Sequence, residues 1–124
     1  MDTFLWIAAG FAAACAVGAG LLKLTKPRDV LIEKGQGWAE DFSDSQVKLI
    51  GVAELLGAAG LILPPLLGIA EVLTPVAATC LALLWAGAAS VHVRRKELKE
   101  FVPPATLVVM AVFVAYGRFG EWSF

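Results

Sequence analysis

The sequence predicts an all-α fold, a transmembrane four-helix bundle forming one domain over residues 1–124. Three observations lead there. The chain is 59% hydrophobic with a mean hydropathy of +0.77, too apolar for an ordinary small soluble domain. Its apolar residues gather into four runs of membrane-spanning length, about 4–23, 47–63, 75–93 and 102–119. Of the 10 Lys and Arg residues, all but Arg118 lie in or beside two connectors, one between the first and second runs and one between the third and fourth. Such a one-sided distribution is the signature of a chain threaded through a bilayer.

The first span, Phe4 to Leu22, is preceded by Asp2 and Thr3 as capping residues and closed by Lys23. Gly10, Ala14 and Gly18 stand at four-residue spacing along it. In lipid, where packing drives helix association, such a ladder lets another helix approach closely; the plain abundance of Gly and Ala in membrane helices accounts for the same residues. The segment containing Cys15 resembles a lipoprotein cleavage box, but no Lys or Arg precedes the run, so a retained span is expected rather than a signal peptide.

Residues 25–46 change character to a mixed-charge connector with Pro27, Gly35 and Gly37 as breakers and Val30, Leu31, Trp38 and Phe42 as apolar members. A short amphipathic helix after Pro27 and a headgroup-level anchor at Trp38 are expected. A solvated loop and a lid over a pocket are the alternatives. Pro64-Pro65 ends the second span in this reading, and Thr74-Pro75 supplies the N-cap and first helical position of the third. The third span closes at the charged cluster beginning Arg94-Arg95, and Pro103-Pro104 opens the fourth. Cys15 and Cys80 each stand alone in an apolar run and are expected to be buried structural thiols, with no metal site implied.

The positive-inside rule puts both charged connectors in the cytoplasm and both termini outside a bacterial-type plasma membrane. Phe4, Trp6, Tyr116, Phe119 and Trp122 then fall in the outer aromatic belt. A net charge of −1 without a basic stripe argues against nucleic acid as a partner. No phosphate-binding loop, nucleotide fingerprint, haem-attachment motif or serine triad is visible, and no cofactor is evident.

The chemistry-bearing residues are few. Glu54 lies inside the second apolar run, about two turns past Lys48, where an unpaired carboxylate costs several kcal/mol. On the predicted helices Glu54 shares a face with Gly51 and Ala58, and His92 shares one with Ala78, Ala82, Trp85 and Ala89. Side chains lean toward their own helix N-terminus, which brings Glu54 and His92 to similar depth, so a direct contact or a bridging water between them is expected. Lys23 either joins them or extends to the headgroups. Lys23, Glu54, Trp85 and His92 are therefore the candidate ligand-binding residues; a polar pin that fixes helix register is the competing role for Glu54 and His92. Gly57 and Gly60 join Gly10, Ala14 and Gly18 as candidate helix-packing positions.

The stretches KLTKP (23–27), IGVAELLGAAGLILPP (50–65), LTP (73–75), SVHVRR (90–95) and VAYGRF (114–119) resemble the DoxX-like family of small four-helix membrane proteins, from about Leu21 to Phe119. The residues that carry the likeness are Lys23, Glu54, Gly57, Gly60, Pro64, Pro75, His92, Arg95 and Arg118. The resemblance implies the four-helix fold and an association with quinone-coupled, sulfur-related or stress-response membrane systems; distant animal relatives look like chaperones. Taken with the residues, it leads to an expected lipophilic ligand, a quinone, lipid or sterol-like molecule, near Glu54 and His92. The alternatives are a chaperone-like or assembly partner of another membrane protein, with a homodimer among the expected assemblies, and an acid/base isomerase using Glu54 and His92.

Overall fold

The computed structural model describes residues 2–33, 39–40 and 42–120. Expectations concerning Gly35, Gly37, Trp38 and Trp122 lie outside the described residues. The chain runs as α1 (Asp2–Thr25), α2 (Arg28–Glu33), α3 (Asp44–Leu67), α4 (Leu73–Arg94) and α5 (Leu98–Phe119). The four long helices are each long and apolar enough to cross a membrane. They form a ring in which α1 packs on α3, α3 on α4, α4 on α5 and α5 back on α1, the last being the slightest of the four contacts.

Small residues set the spacing of this ring. Its core joins Ala8, Ala9, Ala12, Ala13 and Ala16 of α1 to Leu61, Leu81, Trp85 and Val114 on the other helices, while Phe4, Ile7, Leu56, Leu83 and Val109 face outward, as they do on helices solvated by lipid. The backbones of α1 and α3 come close together at Gly20 and Gly51. A Cβ on Gly20 would lie 2.8 Å from the Gly51 carbonyl oxygen, and one on Gly51 would lie 3.0 Å from that of Gly20. Gly57 meets Leu81 and Gly60 meets Ala77 across the α3–α4 contact. Gly10, Ala14 and Gly18 instead face outward, with nothing within 4 Å of a Cβ built on either glycine. Helix α1 carries two ladders of four-residue period, and the one that packs is Ala8, Ala12, Ala16 and Gly20.

Several local expectations change. Pro64 and Pro65 do not end α3, which continues to Leu67 and stops at Gly68 in the left-handed conformation (φ 65°). Two prolines leave the carbonyls of Gly60 and Leu61 without their helical N–H donors. The Thr74 hydroxyl offers its single proton to that gap, lying 3.2 Å from Gly60 O and 3.3 Å from Leu61 O. Thr74 is thus not the N-cap of α4: the cap position is Val72, which makes no side-chain cap bond. Helix α5 likewise begins at Leu98, ahead of Pro103-Pro104, since the carbonyls those prolines strand belong to exposed Lys99 and Glu100. The expectation of buried thiols also fails: Cys80 is exposed and Cys15 half-buried, because an apolar run in a membrane helix includes its lipid-facing side.

The first connector is packed rather than freely solvated. Leu31, Ala39 and Val47 are fully buried, with Leu22, Ile32 and Phe42 against them. Arg28 ties it together: Nε donates to Ala39 O at 2.9 Å and Phe42 O at 2.6 Å, and Nη2 donates to Glu40 O at 2.9 Å. Ser43 and Gln46 then form a reciprocal capping box that starts α3.

Candidate functional site

The site is built where α1 and α3 touch. Contact at Gly20 and Gly51 brings the last turn of α1 beside α3, so Lys23 turns inward and its Nζ lies 2.6 Å from Glu54 Oε1. Glu54 is 2% exposed; a carboxylate at this depth persists only when paired and hydrogen-bonded. Trp85 on α4 supplies the second partner, its indole Nε1 donating to Glu54 Oε2 at 3.4 Å. Lys48 secures the same corner by donating to the carbonyls of Lys23 and Lys26, each at 2.8 Å. This places a cation on the C-terminal carbonyls of α1, where the helix dipole favours one.

His92 makes its direct hydrogen bond to a different carboxylate from the one expected. Its Nδ1 is 3.1 Å from Glu97 Oε1, and no hydrogen bond joins it directly to Glu54 among the described residues. The cause is the tight α4–α5 turn. The Glu97 N–H donates to His92 O at 2.9 Å and Lys96 takes a left-handed conformation (φ 59°), which folds the Glu97 carboxylate back onto the imidazole. Arg95 Nε reaches the same carboxylate oxygen at 3.2 Å, and its Nη2 lies 3.9 Å from Glu40 in the first connector.

Lys23, Glu54, Trp85 and His92 nevertheless all line one cavity of about 620 Å³. Its apolar wall includes Ala19, Ile50, Leu84, Pro104 and Leu107, and Phe42 of the connector borders it. The volume lies at the connector end of the α1–α5 gap because those helices close at the opposite end. There Gly117 admits the Leu5 side chain, whose Cδ2 would be 2.6 Å from an added Cβ. Asp2 Oδ1 takes a 2.6 Å bond from Arg118 Nη1, and Arg118 sits over the Trp6 ring at 5.8 Å.

Sequence reasoning missed the Arg118–Asp2 pair, the Trp85–Glu54 bond, the Lys48 cap and the place of Phe42 at the cavity. The first had a usable signal, since an acid opening the first span and a base closing the last meet when those spans are neighbours. The Trp85 and Lys48 contacts depend on rotations about helix axes that apolar runs do not specify, and the place of Phe42 depends on how the connector folds back between α2 and α3. The arrangement as a whole presents a polar anchor deep in a mainly apolar chamber, suited to an amphipathic molecule held by its polar end.

The family model describing the DoxX-like family matches residues 7–114, a stretch that includes Lys23, Glu54, Trp85 and His92. No curated protein matches the chain, and no solved structure does.

Proposed function

The chain belongs to the DoxX-like family and is an integral membrane protein; from that premise we propose that it binds a lipophilic small molecule in the cavity beside Glu54 and His92. A quinone, a lipid or a sterol-like compound fits this description. The observation that carries the reading is the open volume of about 620 Å³ next to the buried Lys23–Glu54 pair, within the size range of small-molecule sites. A polar pin alone needs no such space, since a pair serving only to set helix register is as well served by packed neighbours. The basic connectors orient the cavity toward the cytoplasmic leaflet of a bacterial-type plasma membrane, with both termini outside. Participation in a membrane redox or stress-response system rests on the family likeness alone.

Native mass spectrometry of the protein released from mild detergent tests this reading. A co-purifying lipophile that is lost on Ala88→Leu, a substitution in the cavity wall, is the expected result. A protein free of adducts that also fails to take up added lipophiles contradicts it.

A second reading, an assembly partner for another membrane protein or for a second copy, is favoured by one observation: Gly10 and Gly18 are exposed with no side chain near them. Gly57 does not serve that purpose, being occupied by Leu81. Gly10→Leu and Gly18→Leu should then abolish co-purification of the partner from native membranes, and unchanged assembly in both variants removes this reading. Acid/base isomerisation has no observation of its own beyond this cavity, and Glu54 is held there by Lys23 and Trp85.

A further inference from the structure

We propose that the cavity selects an electrically neutral lipophile bearing a hydroxyl group, an alcohol or a phenol, which donates its proton to His92 Nε2; this rests on the ligand-binding reading above. Two features carry it. The first is charge balance. Lys23 and Arg94 line the cavity with Glu54, Glu97 and Glu100; inside it Lys23 is paired with Glu54 and Glu97 with Arg95, while Arg94 and Glu100 are exposed at its rim, so the interior holds no unmatched charge for a charged head group. An ionised head would enter an apolar chamber without a counter-charge, at a heavy desolvation cost.

The second feature is the polarity of the unfilled hydrogen-bonding positions. A carboxylate accepts and does not donate, so in the neutral imidazole the Glu97 contact puts the proton on Nδ1 and leaves the lone pair on Nε2. Nε2 has no partner among the described residues. Beside it, Glu54 Oε2 accepts among the described residues from Trp85 at a long 3.4 Å, and a carboxylate oxygen also only accepts. The donors beside them, Lys23 and Trp85, are both turned to Glu54. The vacant positions therefore ask for a donor, which a hydroxyl supplies and an ether, ester or ketone does not. A site that offers acceptors discriminates against an analogue lacking the proton, because its buried acceptor is then left unsatisfied.

A matched pair of probes tests this. Dodecanol and its methyl ether, offered together at equal concentration to the full-length protein in mild detergent at about pH 8.5, above the reference titration range of imidazole, compete for adduct formation in native mass spectra. The alcohol adduct should exceed the ether adduct by about tenfold, and His92→Phe should bring the ratio toward unity. Equal adducts in the wild-type protein overturn the hydroxyl selection while leaving the cavity as a binding site. A preference unchanged by His92→Phe overturns the assignment of Nε2 as the acceptor. Absence of both adducts removes the binding reading itself and this inference with it.

Discussion

The two ends of the bundle each hold a buried charge, yet they are built in opposite ways. At the terminal end the Arg118 side chain is 3% exposed and Asp2 60% exposed, so the ion pair reaches from interior to surface, and Leu5 fills the space above Gly117. At the connector end both partners are withdrawn, Lys23 at 14% and Glu54 at 2%, and the neighbouring volume is open. A buried ion pair is thus not by itself a sign of a binding site. The terminal pair closes α5 against α1, whereas the connector pair stands beside a chamber whose remaining polar groups have capacity to spare.

That contrast predicts unequal responses to substitution. The largest is at Lys23: Lys23→Met strands a carboxylate far from water and should cost about 3–5 kcal/mol, read as denaturant or thermal unfolding in detergent. Adding Glu54→Leu to that variant should recover most of the loss, because replacing both members of a buried pair by apolar groups is close to neutral. A double variant as unstable as the single one would refute this account of the pair. Next comes the tight end, where Gly117→Val drives a branched side chain into Leu5 and should cost about 1–3 kcal/mol without altering lipophile binding. Asp2→Asn should cost about 1 kcal/mol, since it keeps a hydrogen-bond acceptor for Arg118 and the lost carboxylate is partly solvated. The smallest effect on stability belongs to Ala88→Leu, which adds methylenes where space exists and should change unfolding by less than about 1 kcal/mol while removing retained lipophile. If Ala88→Leu destabilises as much as Gly117→Val, the two ends are equally packed and the contrast fails.

The sequence made some of these features readable and hid others. Four apolar runs with charged interruptions are a direct record of helix length and bilayer crossing, and Glu54 inside such a run announces itself by its desolvation cost. The faces carrying Glu54 and His92 were also legible, because the small residues Gly51, Ala58, Ala78, Ala82 and Ala89 line up with them at helical spacing, and all are buried. What sequence could not give was a choice between two small-residue ladders on α1, since Gly10-Ala14-Gly18 and Ala12-Ala16-Gly20 share one period. Nor could it pair His92 with Glu97, which depends on the turn at Lys96, or foresee that Thr74 brings one hydroxyl donor to the two carbonyls stranded by Pro64 and Pro65. In each case the deciding contact is a backbone detail between elements rather than a pattern within one.

The central claim, that the space beside the Lys23–Glu54 pair holds a lipophilic molecule, is tested most directly by photolabelling. A single-chain lipid analogue bearing a diazirine, activated in native membranes and mapped by peptide sequencing, should label Ile50, Leu84, Trp85 or Leu107, with labelling that saturates, is displaced by unlabelled lipophile and disappears in Ala88→Leu. Labelling confined to outward-facing side chains such as Leu56, Leu83 and Val109, neither saturable nor displaced, would contradict it.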